Sequence, residues 1–296
     1  MQNNNDTLDD IIWSIEASPG EFSLGLAMCN YPELRDRLIE SLQEKCSLDI
    51  RTVALRPDVI RLSDALSKAV GEDSPDALTV SGFESLVRLG DVLAGANLSR
   101  DRFREKFQFP LVLWMDDAVL RKLGRIAPDF ENWAGIPSRF EPSDDELLDM
   151  LVRNAEALFD EILKPDACLM QSEYPLSSRK SEFLSFLSAD LEERALPLSP
   201  ESDAALQFFQ RKDAQDKGCL DSAIQFYQAA RSFWKGKDRE REGVLLYFIA
   251  KCHEGKDDLE TAASFFRECT AAFGEHEQIR ARCKYLINNF VTFPKR

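Results

Sequence analysis

Between residues 22 and 142, short apolar runs alternate with stretches in which apolar residues recur every three or four positions, the pattern of successive βαβ units. The runs "FSLGLAM" (22–28), "LDIRTVAL" (48–55), "DALTVSG" (76–82) and "FPLVLWM" (109–115) predict strands, and "SRFEP" (138–142) a weaker fifth. Leu34, Leu38, Ile39 and Leu42 mark one covering helix, and Val59, Leu62, Leu66 and Ala69 a second. Further helices are predicted from Glu84 ("ESLVRLGDVLA"), Ser99 ("SRDRFREKF") and Asp117 ("DAVLRKLGRIA"), and another opens near Thr7. The unbroken "LVLW" fits a strand buried on both faces at the centre of a parallel sheet, with Trp114 in the core. Together these features predict an α/β domain with a parallel, five-stranded sheet over residues 1–142.

Past Pro142 the strand pattern stops and only helical spacing remains. "DELLDMLVRNAEALFDEIL" (145–163) predicts a connecting helix capped by Ser143 or Asp144. Residues 164–180, with two prolines and scattered serines, read as a loop, and "PLSPESD" follows the next helix as a linker, so 143–200 is a connecting region. Over 201–296, "GCLDSAIQFYQAARSF" and "DDLETAASFFRECTAAF" resemble each other: Ala223, Tyr227 and Ala230 align with Ala262, Phe266 and Cys269 at a spacing of 39 residues. This small, aromatic, small order resembles the second helix of a tetratricopeptide repeat, whose period is ~34 residues, and the charged loop "WKGKDREREG" can hold the extra length. The final "EHEQIRARCKYLINNF" adds a further repeat helix or a cap.

Charge narrows the choice of partner. A net charge of −15 opposes binding to a phosphate backbone, so nucleic acid is not expected as a partner. No apolar run approaches the ~20 residues that span a bilayer, and the opening "MQNNNDTLDDIIWSIEASPGE" lacks a secretory pattern, which predicts a cytoplasmic protein without membrane contact. Cysteines 29, 46, 168, 219, 252, 269 and 283 form no CxxC pair, and with only His253 and His276 available they predict reduced thiols and no zinc site. In "KCHEG" the adjacent Cys252 and His253 point in different directions on a helix.

In open α/β sheets ligands sit beyond the carboxyl ends of the strands. The residues there are Cys29 and Asn30, Arg56, Gly82 to Glu84, and Asp116 with Asp117. The order of elements through "ALTVSGFESL" and "FPLVLWMDDAVLRKLGRIAPDFENWAG" resembles the P-loop NTPase core of the AAA and STAND type over residues 20–142. The stretch from "FPLVLW" to "NWAG" most resembles bacterial STAND-like domains joined to tetratricopeptide repeats. That resemblance implies a nucleotide site flanked by the third and fourth strands. An active member leads its first strand into G-x-x-x-x-G-K-[ST], whereas this chain has "CNYPELRDRL", with no lysine or glycine between Gly25 and Lys45. Both the phosphate-cradling amides and their cation are expected to be missing, and Glu33 already complements the helix dipole. No nucleotide or other cofactor is therefore expected.

Three carboxylates, Glu84, Asp116 and Asp117, are the alternative catalytic set, since hard cations take oxygen ligands. The favoured role for all three is structural, Asp116 and Asp117 as N-cap and first-turn residues and Glu84 as the opening of a helix. By resemblance to tetratricopeptide repeats, the concave partner-binding surface comprises Phe208, Lys212, Gln215, Val244, Tyr247, Lys251 and Glu254, where Lys212 and Lys251 are again 39 apart and suit an acidic protein or peptide. The leading expectation is a non-enzymatic adaptor or sensor of the kind found in bacterial conflict or signalling systems. The alternative is an NTP-binding switch or a metal-dependent hydrolase.

Overall fold

Five strands form where the apolar runs lie: β1 (Ser23–Met28), β2 (Ile50–Ala54), β3 (Ala77–Ser81), β4 (Pro110–Met115) and β5 (Ser138–Arg139). All pair in parallel, in the order β2-β3-β4-β1-β5. The computed structural model describes residues 3–71, 73–163, 178–216, 219–274 and 276–292, with side chains described outside 161–182, 209–218 and 291–292. It divides into two units, Met1–Pro142 and Ser143–Arg296. No helix among the described residues is long and apolar enough to cross a membrane.

The strands of the first unit alternate with α1 (Asn4–Glu16), α2 (Pro32–Lys45), α3 (Leu62–Val70), α4 (Leu89–Leu98), α5 (Arg100–Lys106), α6 (Asp117–Ile126) and α7 (Pro128–Glu131). β4 is central, and all six of its residues are buried. Alternation divides its side chains between two faces. Leu111, Leu113 and Met115 join Leu24, Leu26, Leu78 and Val80 in a core that includes Leu62 and Leu66 of α3 and Val92 and Leu93 of α4. On the other face Trp114 lies opposite Ala27, and its indole N–H donates to Thr79 Oγ1 at 2.8 Å. That bond satisfies two polar groups that burial would otherwise leave costly.

Gly82 ends β3 with φ +91°, and a Cβ there would meet the Leu55 carbonyl oxygen at 2.9 Å. The chain then makes a single 3-10 turn (Phe83–Ser85) rather than the helix expected from Glu84, and α4 starts only at Leu89. The Val87 N–H is engaged by the Pro57 carbonyl at 3.1 Å, on the loop after β2, so it is committed outside any helix.

The second unit contains α8 (Asp144–Leu163), α9 (Ser178–Glu193), α10 (Pro200–Asp216), α11 (Leu220–Trp234), α12 (Arg239–Gly255), α13 (Leu259–Ala272) and α14 (Glu277–Thr292). α8, expected as a connector, packs against α10 and α12. Ser143 and Glu146 form a reciprocal capping box at its start. From α10 onward each helix packs on the next. The aligned positions Ala223 and Ala262, Tyr227 and Phe266, and Ala230 and Cys269 are all fully buried. Rings run through the unit: Phe159 stacks on Phe208 at 4.2 Å, Tyr227 on Phe248 at 5.4 Å, and Phe266 meets Tyr247 at 5.6 Å and Phe290 at 6.0 Å. Most of "REREG", expected in a loop, instead forms the first turn of α12, with Asp238 accepting the N–H groups of Glu240 and Arg241. The loop expected at 164–180 lies outside the described residues as far as 177.

Glycine positions give a test in which the sign changes with the surroundings. Gly82→Ala is expected to cost about 2 kcal/mol through backbone strain and the Leu55 contact. Gly243→Ala gains ~1 kcal/mol of helix propensity but drives a Cβ to 2.6 Å from the buried Phe273 ring, so overpacking of ~1–3 kcal/mol wins. Gly95→Ala, in α4 with nothing within 4 Å, gains up to ~1 kcal/mol. Urea unfolding of the three variants checks the order.

Candidate functional site

The strand order locates the place where this fold would hold a ligand. The chain leaves β1 toward β2 at one edge of the sheet and leaves β4 toward β5 at the other. β1 and β4 are neighbours, so their following connections diverge, and a crevice is expected beyond their carboxyl ends. Cys29, Asn30 and Tyr31 come from the β1 side, Asp116 and Asp117 from the β4 side, and Glu84 from the turn after β3.

The chain's own groups bridge this crevice. The Cys29 N–H donates to the Met115 carbonyl at 2.9 Å, extending the β1–β4 ladder by one bond. Next along the chain, the Asn30 side-chain oxygen accepts the Asp117 N–H at 2.9 Å. An amide at the start of α6 is thereby taken. Asp116 caps the same helix by accepting the Val119 N–H at 2.7 Å, and Asp117 pairs with Arg121 one turn on. Tyr31 is fully buried, and Pro32, with no N–H to offer, begins α2 directly after it.

A cation does stand near the first strand, contrary to the sequence-based expectation. Arg35, in the first turn of α2, reaches Glu84 with Nη1 2.7 Å from Oε1, and its Nε lies 3.0 Å from Asp36. Both partners of the Arg35–Glu84 pair are largely shielded, with side chains 13% and 21% exposed. Burial works against the charge on Arg35, but Glu84 and Asp36 outweigh it, so its pKa is raised. Glu84 therefore serves as a counter-ion rather than as the opening residue of a helix. Its Oε2 is buried with no hydrogen-bond partner among the described residues. Burial also pushes the Cys29 thiol up to about 11, leaving it protonated and un-nucleophilic near neutral pH.

The arrangement has no surplus positive charge. Arg35 is neutralised by Glu84, Asp117 by Arg121, and Asp116 lies close by, so a phosphate would meet more carboxylates than free cations. Arg56, at the end of β2, is exposed and pairs with Asp58. Among the described residues no three His, Cys, Asp or Glu side chains are grouped to hold a metal ion. Glu84, Asp116 and Asp117 share one edge of the sheet, but each is engaged locally.

In the helical unit the expected groove residues separate into two groups. Phe208, Val244 and Tyr247 are 1%, 0% and 4% exposed and belong to the core: α12 is buried on every side from Gly243 to Ala250, and Phe208 of α10 stacks on Phe159. They do not line an open surface. Lys251 and Glu254 are half-buried and pair with each other across one helical turn. The side chains of Lys212 and Gln215 lie outside the described residues. His253 turns to Asp258, with Nδ1 3.0 Å from Oδ2, and stacks on Phe265, while Cys252 is buried.

The chain matches no protein-family model and no curated protein sequence.

Helix capping by Asp116 is directly testable. Asp116→Ala is expected to cost about 1 kcal/mol and Asp116→Ser or Asp116→Asn only a few tenths, read as shifts in the urea midpoint. An equal loss in all three would mean that the carboxylate charge, not the cap, is what the site requires.

Proposed function

We propose that this protein is a non-enzymatic adaptor or sensor. In this reading the α/β unit is a relative of the STAND or AAA nucleotide-binding core that has given up its phosphate site, and the helical unit is tetratricopeptide-like and recruits a protein or peptide partner. The observation that carries the reading is the crevice between β1 and β4, where Asn30 takes the Asp117 amide and Glu84 takes Arg35. Helix-start amides of α6 and the nearby cation Arg35, groups that a phosphate would draw on, are used internally. The all-parallel sheet and the helices that stack in sequence order support the two halves of the resemblance. So does the burial of equivalent small and aromatic residues 39 apart.

For the partner we favour an acidic protein segment. With Phe208, Val244 and Tyr247 committed to the core, recognition falls to polar residues such as Lys251. Its pairing with Glu254 is a partly exposed i,i+3 contact of about 0.5 kcal/mol, for which an incoming carboxylate can substitute. By analogy of architecture the setting is a bacterial conflict or signalling system, in which such a module senses or recruits instead of catalysing.

The test is a thermal unfolding scan with and without millimolar ATP or GTP and Mg²⁺. A ligand at ~100 times its Kd stabilises by ~2.7 kcal/mol, a shift of several degrees. The expected result is no shift with either nucleotide. A reproducible, Mg²⁺-dependent rise would overturn the proposal in favour of an NTP-binding switch that uses Arg35 as its cation.

A further inference from the structure

The helical unit contains a pair of nucleophilic groups that neither the crevice nor the partner surface uses. Cys269 in α13 and Cys283 in α14 place their sulfurs 3.5 Å apart, and both residues are completely buried. A disulfide needs ~2.05 Å between sulfurs, so the gap to close is about 1.5 Å. Fourteen residues separate the two positions, and they sit on helices packed against each other.

The surroundings make the two thiols unequal. Cys269 is held in its protonated form by its contact with the Cys283 sulfur and by burial, and its Sγ lies 3.4 Å from the Gly243 carbonyl oxygen as a donor. Cys283 is shifted the other way: its contact with the Cys269 sulfur lowers its pKa despite burial, helped by Thr270 and by the positive charge of Arg282. With Cys269 turned toward the Gly243 carbonyl and Cys283 beside the positive charge of Arg282, Cys283 is placed to attack and Cys269 to resolve. α14 packs chiefly on α13, and for an oxidant to reach the two buried sulfurs that helix pair must open locally.

We propose that Cys269 and Cys283 are a redox modification site, forming a disulfide that cross-links α13 to α14 when the protein meets a small hydroperoxide. The Cys283 thiolate attacks one peroxide oxygen: an S–O bond forms, the O–O bond breaks, and the departing hydroxide takes up the proton that Cys283 had shed, leaving as water. Cys269 then attacks the sulfenic sulfur: the S–S bond forms, the S–O bond breaks, and its proton leaves with the hydroxide as a second water. Two thiols are oxidised by two electrons in all, and hydrogen peroxide is reduced to two waters. The product ties together the helices that hold the Phe266–Phe290 contact, stiffening that end of the unit.

The experiment treats the fully reduced full-length chain with hydrogen peroxide under native conditions, alkylates it in denaturant and maps the peptides without reduction. The expected result is one cross-linked species carrying Cys269 and Cys283, with two alkylatable thiols lost per chain and regained with dithiothreitol. The oxidised protein should also unfold several degrees above the reduced one. Arg282→Met is expected to slow cross-linking several-fold, which a purely structural pair would not show. Recovery of both peptides alkylated, or oxidation confined to the exposed Cys219, would overturn the proposal. Because the decisive readout is on the unmodified sequence, it does not depend on how Cys269→Ser or Cys283→Ser folds.

Discussion

Everything at the carboxyl edge of the sheet depends on β1 lying directly against β4, in register from Ser23 opposite Pro110 to Met28 opposite Met115. That pairing brings together two turns that lie 87 residues apart in sequence and lets the Asn30 side chain meet the Asp117 amide. It is held by burial on both sides of β4: an aliphatic layer on one face, and on the other Trp114, for which Ala27 opposite it leaves room. Were β1 to pair elsewhere, neither the bridge across the crevice nor the position of α2, which carries Arg35, would survive.

Given that pairing, the electrostatics of the edge follow from a few side chains. An α/β crevice binds anions when helix-start amides and a cation face it unpaired. Here a neutral amide oxygen has taken the α6 amide, an aspartate caps the same helix, and the nearby guanidinium lies against a glutamate from the turn after β3. These contacts tie together the segments that follow β1, β3 and β4.

Much of this was legible in the sequence, and what was not has identifiable causes. The strands were readable because residues buried on both faces give unbroken apolar runs, and Gly82 was readable because a turn with positive φ follows β3. The Asp116 cap was legible as an aspartate three residues before Val119. The Arg35–Glu84 pair was not, since its partners are 49 residues apart and meet only once the strand order is fixed. The start of α4 was misplaced for a similar reason: the Pro57 carbonyl that holds Val87 belongs to another loop. The resemblance to tetratricopeptide repeats places Phe208, Val244 and Tyr247 on a groove, but it carries no information on which helix faces are covered: every side of α12 from Gly243 to Ala250 is buried, and so is Phe208 on α10.

If the chain's own charges close the crevice, Arg35 and Glu84 act as one energetically coupled unit. A double-mutant cycle on Arg35→Met and Glu84→Gln, measured by urea unfolding, reads that coupling. The expected value is about 1 to 2 kcal/mol, above that of an exposed ion pair and below that of a fully buried one. Additive effects, with no coupling between the two positions, would show that Arg35 is not committed to Glu84 and would contradict a crevice closed from within.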